Sequence, residues 1–219
     1  PHIGTSISFA ELNDESSRIA SGLNQYGFKK GDRVLLLVPF SIKFISIAFA
    51  LFKAGAVVVL IDPGLGKKNI LKCIEEVEPR GMIATPLFHV ISQVFRKPFR
   101  SVRHRVIVGP SWLWGGNTLK DIHNMAEARP TYANVLPNNP AAVLFTSGST
   151  GSPKGVLYTH GMFSHQLDTL RSCYGIQPGE VDLSTFPLFA LLGIGLGMTT
   201  VLPEMDFTRP ARVDPEKIV

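Results

Sequence analysis

Short, unbroken apolar runs alternate with segments of helical periodicity along much of this chain. The runs Val34–Val38 and Val57–Ile61 contain no polar residue, as expected for strands that are covered on both faces. Between them, the segment from Ser41 to Ala54 has the length of a helix, and Gly55 follows it. Further strands are predicted at Met82–Ala84 and Val106–Val108, and further helices at Lys68–Val77, Pro86–Phe95 and Leu119–Ala126. The alternation predicts an α/β fold, in which a mostly parallel sheet carries helices on both faces.

The first helix has start and stop signals of its own. Ser8 and Glu11 have the spacing of a capping box, in which the serine hydroxyl accepts from the amide of Glu11 and the glutamate reaches back. Gly27 follows the last apolar position, Tyr26, and can end the helix in the left-handed conformation. A helix is therefore expected between these signals.

The composition excludes several classes of protein. Of 219 residues, 45% are hydrophobic and 18% are charged, which excludes a disordered chain. The two cysteines, Cys73 and Cys173, cannot build a disulfide framework, and no Cys or His cluster has the spacing of metal ligands. These features favour a reducing compartment and predict a cytoplasmic protein without a metal site. Because the chain begins with Pro1, we expect a processed chain or a piece of a longer one.

Two segments raise the question of a membrane or nucleic-acid partner. The stretch from Leu183 to Pro203 has no charged residue, but Pro187 and three glycines interrupt it, so a short strand, a turn and a buried helix are expected instead of a transmembrane span. The basic stretch from Arg96 to Arg105 contributes to a net charge of +5. No nucleic-acid motif accompanies it, so a solvated connector is the favoured interpretation, and peripheral contact with a membrane stays open.

The most informative segment is a loop of hydroxyl residues and glycines that ends in a lysine. Strand-like runs at Ala142–Thr146 and Val156–Thr159 flank it. The glycines let backbone amides approach a ligand, the hydroxyls can donate to phosphate oxygens, and the lysine adds a compact positive charge. We predict that the loop binds a polyphosphate through Thr146, Ser147, Gly148, Ser149, Thr150, Gly151 and Lys154.

Two other interpretations of this loop fit the sequence less well. A Walker A loop requires a second glycine where Pro153 stands and opens a helix, whereas the residues after this loop are typical of a strand. Composition alone also fits a flexible linker, but strands on both sides argue against one.

The string Thr146-Ser147-Gly148-Ser149-Thr150-Gly151-Ser152-Pro153-Lys154-Gly155 resembles the phosphate-binding signature of the adenylate-forming enzymes. Other stretches resemble further motifs of that family: Ser8–Leu12, Leu51–Ala56 with Asp62-Pro63, and Phe186–Phe189. Within the family, the stretches most similar to the bacterial fatty-acid branch, which includes β-lactone synthetases of olefin biosynthesis, are Tyr158–Phe163, Phe186–Gly193 and Asp206–Ala211.

The resemblance implies an enzyme that uses ATP and Mg²⁺ to convert a fatty acid into an acyl adenylate and then, with coenzyme A, into a thioester. The alternative product is a β-lactone formed from a 3-hydroxy fatty acid. The loop would stabilise charge on the leaving pyrophosphate, and its hydroxyls would not be nucleophiles because no base lies beside them. His160 is expected to start a helix or to pack, not to act in catalysis.

The resemblance also places Phe189, Ala190 and Gly193 at the acyl substrate pocket. Many acyl-CoA ligases have a histidine at the position of Ala190. The smaller side chain either widens a tunnel for a long acyl chain or simply packs a helix, and the sequence leaves both open.

The resemblance covers only the first part of a family enzyme. We expect residues 1–219 to form a single incomplete N-terminal AMP-binding domain, without the C-terminal domain that carries the catalytic lysine. The residues for ribose, magnesium and most of the adenine pocket would lie beyond Val219, so no catalytic residue is assigned and the chain alone is expected to be inactive. A non-catalytic nucleotide-binding module and a membrane-associated protein are the competing hypotheses.

Overall fold

Mostly parallel strands alternate with helices along the chain, as the sequence predicts. The computed structural model describes residues 4–110, 116–128, 130, 132–146, 153–207 and 213–214. In these ranges the strands are β1 (Arg33–Leu37), β2 (Val57–Ile61), β3 (Gly81–Ala84), β4 (His104–Ile107), β5 (Asn117–Thr118), β6 (Pro140–Thr146), β7 (Lys154–Thr159), β8 (Val181–Leu183) and β9 (Thr199–Val201). The α-helices are α1 (Phe9–Tyr26), α2 (Ile42–Lys53), α3 (Lys67–Val77), α4 (Pro86–Val94), α5 (Leu119–Asn124), α6 (His160–Tyr174) and α7 (Pro187–Gly195).

The chain divides into two compact units, Pro1–His160 and Gly161–Val219. In the described part of the first unit, seven strands form one sheet in the order β5-β4-β3-β1-β2-β6-β7. All neighbouring pairs are parallel except β6 and β7, which are antiparallel. The prediction of a mostly parallel sheet is confirmed.

One face of this sheet is covered by α3. Its residues Cys73, Ile74 and Val77 are buried in a cluster with Leu35 of β1 and Val59 of β2. The crossover from β2 through α3 to β3 and the crossover from β3 through α4 to β4 run in the same direction along the sheet. Right-handed connections therefore place α4 on the face that α3 covers.

Neighbouring residues of a strand point to opposite faces of the sheet. Val34, Leu36 and Val58 therefore point to the second face, and all three are buried. The crossover from β1 through α2 to β2 runs in the other direction along the sheet, so α2 lies on this second face. Helix α1 packs against both α2 and α5. Helices therefore cover both faces, as predicted.

The helix signals in the sequence act as expected. The Ser8 amide donates to Glu11 Oε2 at 2.8 Å, and the Glu11 amide donates to Ser8 Oγ at 3.2 Å, so both halves of the capping box form. Gly27 has a φ of 114° and ends α1 in the left-handed region. Ser41 caps α2 by accepting from the Phe44 amide at 3.3 Å.

Several predicted boundaries are wrong by one or more residues. The strand predicted at Val106–Val108 is β4, His104–Ile107, because backbone pairing with Gly81–Ala84 sets its limits and tolerates the polar residues at its start. The helix predicted to end at Ala126 is α5, which ends at Asn124. Strand β5 was not predicted, since two residues carry no periodicity.

Residues 96–103 of the basic stretch form a connector that leads into β4, as predicted, but His104 and Arg105 belong to β4 itself. Lys97 Nζ lies 2.9 Å from Glu75 Oε1, and Arg100 Nη2 lies 3.7 Å from Glu78 Oε1. These two cations are therefore paired with acidic side chains at the end of α3.

In the second unit, β8 and β9 form a parallel pair with α7 between them in the chain. The segment from Leu183 to Pro203 therefore contains the expected strand end, turn and helix, and also β9, which was not predicted. Among the described residues, no helix combines the length and apolar character that crossing a membrane requires.

Candidate functional site

The predicted phosphate loop joins two strands whose ends face each other. In the antiparallel pair of β6 and β7, Thr146 lies opposite Lys154, and both residues are exposed. Directly opposed residues of antiparallel strands project to the same face, with Cβ atoms about 5 Å apart. The structure therefore brings together the first and last of the predicted loop residues. The other predicted residues lie outside the described part of the chain: Ser147, Gly148, Ser149, Thr150 and Gly151.

A second loop lies beside this strand end. Because β2 runs parallel to β6, Ile61 pairs with Phe145, and the Asp62 amide donates to the Phe145 carbonyl at 3.4 Å. Asp62 Oδ1 in turn accepts from the Gly64 amide at 2.8 Å, which shapes a tight turn. The turn and the predicted phosphate loop thus share the carboxyl edge of the sheet, where open α/β sheets bind ligands.

This neighbour was not included among the predicted site residues, although Asp62-Pro63 was recognised as part of a family motif. One feature of the sequence pointed to this neighbour: Ile61 and Thr146 each end a strand that is predicted to be buried. Only the strand order, which makes β2 and β6 neighbours, shows that the Asp62 turn lies beside the end of β6.

The residues predicted for an acyl pocket lie on α7 in the second unit. Phe189 is 59% exposed, and its ring centroid lies 5.6 Å from that of Phe186. Ala190 has no exposed surface. Gly193 is buried against the β8–β9 pair, because a Cβ at this position would lie 2.9 Å from Asp182 Oδ2 and 3.0 Å from Thr200 Oγ1. Ala190 and Gly193 are therefore enclosed by protein atoms, while more than half of the Phe189 side chain is exposed.

His160 begins α6, as the sequence analysis expected. Its amide donates to the Asn139 carbonyl at 3.1 Å, and its ring packs edge-on to Phe52 with centroids 6.0 Å apart. Burial lowers the pKa of His160, and the charge of Lys30 lowers it further. The imidazole is therefore neutral at neutral pH and contributes packing at this position.

Residues 2–206 match the model of a protein family that is described as AMP-binding enzyme. The chain belongs to the AMP-binding enzyme family. The match includes the β6–β7 hairpin, the Asp62 turn and α7, so the predicted resemblance to adenylate-forming enzymes is confirmed.

Members of the AMP-binding family with curated names resemble this chain over nearly all of its length. An olefin β-lactone synthetase from Xanthomonas campestris is 45% identical over 213 residues, which is 97% of this chain and 38% of that protein. An olefin β-lactone synthetase from Stenotrophomonas maltophilia is 43% identical over 213 residues and the same shares of both chains. This chain thus spans 38% of the length of either relative.

A solved structure has the same architecture. The long-chain-fatty-acid–CoA ligase from Archaeoglobus fulgidus superposes with a TM-score of 0.79 at 22% identity, over 91% of this chain and 40% of that one. The predicted fold class is confirmed by this likeness.

Proposed function

We propose that this chain is the N-terminal part of a ligase that activates a fatty acid with ATP. In the proposed reaction, a carboxylate oxygen attacks the α-phosphorus of ATP, the bond from that phosphorus to the bridging oxygen breaks, and pyrophosphate leaves. The supporting observation is that Thr146 and Lys154 face each other at the carboxyl edge of the sheet in a member of the AMP-binding family.

The side chains of this hairpin suit a leaving polyphosphate. The Lys154 ammonium places a positive charge at the end of the predicted loop, and the Thr146 hydroxyl can donate to a phosphate oxygen. Charge-assisted hydrogen bonds to the departing oxygens stabilise the transition state more than the ground state, which is what accelerates the step. Ser147, Gly148, Ser149, Thr150 and Gly151 are proposed to complete this anion site.

Magnesium and coenzyme A belong to the same proposal. In the part of the chain that the structure describes, no group of three or more His, Cys, Asp or Glu side chains could hold a metal ion. Mg²⁺ is therefore assigned to no residue here and would accompany the phosphates of ATP. Coenzyme A would be the thiol substrate if the product is a thioester.

For the second step, we favour a β-lactone over a thioester. Both β-lactone synthetases are more than 40% identical to this chain over 97% of its length. In the proposed step, the 3-hydroxyl oxygen attacks the acyl carbonyl carbon, the hydroxyl proton is released, and AMP leaves. The thioester remains the second candidate, in which the thiol of coenzyme A attacks the same carbon.

The experiment compares products of the enzyme encoded by the complete reading frame. A 3-hydroxy fatty acid and the plain fatty acid of equal length are incubated with ATP and Mg²⁺, with and without coenzyme A, and products are identified by mass spectrometry. The proposal expects a β-lactone from the 3-hydroxy acid without coenzyme A. A thioester from both acids, formed only with coenzyme A, would select the second candidate. Absence of pyrophosphate release with any acid would refute carboxylate activation and favour a non-catalytic nucleotide-binding module.

The domain assignment is proposed on the same grounds. Residues 1–219 alone are expected to bind ATP weakly and to release no pyrophosphate, because the remaining nucleotide contacts and the catalytic lysine are proposed to lie outside them. Pyrophosphate release by the purified 219-residue chain would refute this.

A cytoplasmic location is proposed as well, supported by two cysteines that are both free in the structure.

A further inference from the structure

A cavity of about 350 Å³ lies between α4 and β4 in the first unit. Its polar lining consists of His89, Ser92 and Gln93 on α4, Arg96 just after that helix, and Arg105 on β4. Two guanidinium groups thus face the cavity, and none of the described residues that line it carries a carboxylate. The cavity lies four strand spacings from β6, which is about 19 Å, so it is separate from the Thr146–Lys154 pair.

Arg105 is held in this cavity by neutral groups. Its Nη1 donates to Ser92 Oγ at 2.7 Å, and Ser92 Oγ donates to the His89 carbonyl at 2.7 Å. Both His89 and Ser92 are more than nine-tenths buried. Arg105 itself is partly buried, and that burial lowers its pKa. A guanidinium has five N–H donors, and a buried one without a counter-ion is costly, so the site favours an anion.

Two other cations of the basic stretch have carboxylate counter-ions, unlike the two arginines at the cavity. Lys97 and Arg100 pair with Glu75 and Glu78, on the side of α3. Among the described residues, no carboxylate forms an ion pair with Arg96 or Arg105. Arg96 Nε donates instead to the Gln93 carbonyl at 3.3 Å, which directs the side chain along the rim of the cavity.

We propose that this cavity binds the phosphate group of a small phosphate ester. Arg96 and Arg105 approach from two different elements, and the Gln93 amide adds a neutral donor, so the donors suit the several oxygens of a dianion. A planar carboxylate has only two oxygens and would accept from fewer of these donors. The volume exceeds that of a phosphate ion and leaves room for the small organic part of the ester.

The test measures binding of glycerol 3-phosphate to the protein by isothermal titration calorimetry, with acetate as the carboxylate arm and inorganic phosphate as the bare anion. Arg105→Gln and Arg96→Gln are each expected to weaken binding about tenfold or more, because each removes a charge-assisted donor. The matched control is Arg100→Gln, in the same stretch but paired with Glu78, which is expected to retain the affinity. Lys154→Ala is also expected to retain it, since that residue belongs to the other site.

Each other outcome overturns the proposal. No saturable binding to the unaltered protein refutes the site. An equal loss in Arg100→Gln shows diffuse attraction to the basic stretch, and a loss confined to Lys154→Ala places the ligand at the β6–β7 hairpin. Acetate binding as tightly as glycerol 3-phosphate refutes the phosphate class. If Arg105→Gln does not fold, binding by Arg96→Gln and Gln93→Ala tests the proposal instead. Both side chains are exposed at the rim, so these substitutions are expected to leave folding intact.

Discussion

Gly155 lies directly opposite Phe145 in the β6–β7 pair, and a Cβ at Gly155 would lie 3.0 Å from two atoms of the Phe145 ring. The ring is buried under β7, one residue from the Thr146–Lys154 pair. The missing side chain therefore lets the hairpin close over a large core residue immediately before the predicted phosphate loop.

Gly155→Val is expected to lower the free energy of unfolding by about 1–3 kcal/mol, because the added methyl groups must displace the Phe145 ring. Chemical denaturation measures the change. The double variant Gly155→Val/Phe145→Leu is expected to lose less than the sum of the two single variants, since the smaller side chain makes room. Strict additivity would contradict the proposed contact.

Lys154→Ala in the complete enzyme is expected to reduce kcat/KM for adenylation about a hundredfold, because the ammonium stabilises the leaving pyrophosphate. Pyrophosphate release measures this rate. Affinity for the fatty acid is expected to stay unchanged, since the charge meets phosphate and not the acyl chain. Lys68→Ala, an exposed lysine of α3, is the matched control. An unchanged rate would remove Lys154 from the site.

Lys53→Met is expected to lower the free energy of unfolding by about 1–3 kcal/mol through lost hydrogen bonds. Lys53 Nζ on α2 lies 2.8 Å from Ser16 Oγ and 2.9 Å from both Ser17 Oγ and the Asn13 carbonyl, all on α1. Methionine keeps the apolar stem and removes the donors. Lys43→Met, at the other end of α2, is the control, and an equal loss there would contradict this role.

Gly22→Ala is expected to cost at least about 2 kcal/mol of stability, because the new methyl group would meet backbone. A Cβ at Gly22 of α1 would lie 1.8 Å from the Ile122 carbonyl oxygen of α5, so the two helices would have to separate. Thermal unfolding tests this. Gly116→Ala places its Cβ 3.4 Å from Ile107 Cδ1, an ordinary contact, and serves as the tolerated substitution.

Acid is expected to destabilise the protein partly through His89. Burial is the main cause that lowers the pKa of His89 below its ordinary value of 6.5, and the charge of Arg105 adds to it. As pH falls below 6.5, the unfolded chain binds a proton that the folded protein binds only at lower pH, so the free energy of unfolding decreases. In His89→Gln, the decrease with falling pH is expected to be shallower by up to about 1.4 kcal/mol per pH unit. An unchanged slope would contradict this origin.

The local elements could be predicted from residues that are close together in the chain. The capping box of Ser8 and Glu11 and the left-handed Gly27 could be predicted because they depend on residues within a few positions of each other. The runs Val34–Val38 and Val57–Ile61 indicated buried strands for a similar reason, since an unbroken apolar run needs cover on both faces. The family resemblance, carried by the string from Thr146 to Gly155, was likewise contained in consecutive residues.

Tertiary structure alone decided which of these elements meet. The pairing of β2 with β6 brings the Asp62 turn to the end of the predicted phosphate loop, although more than 80 residues separate them in the sequence. The pairing of some basic residues with α3, and the exposure of others to a cavity at α4, likewise depends on how the connector folds back. The strand order and the placement of the helices depend on how all the apolar surfaces of the chain are buried together. The free energy of that burial is a property of the complete fold, so no local sequence pattern predicts it.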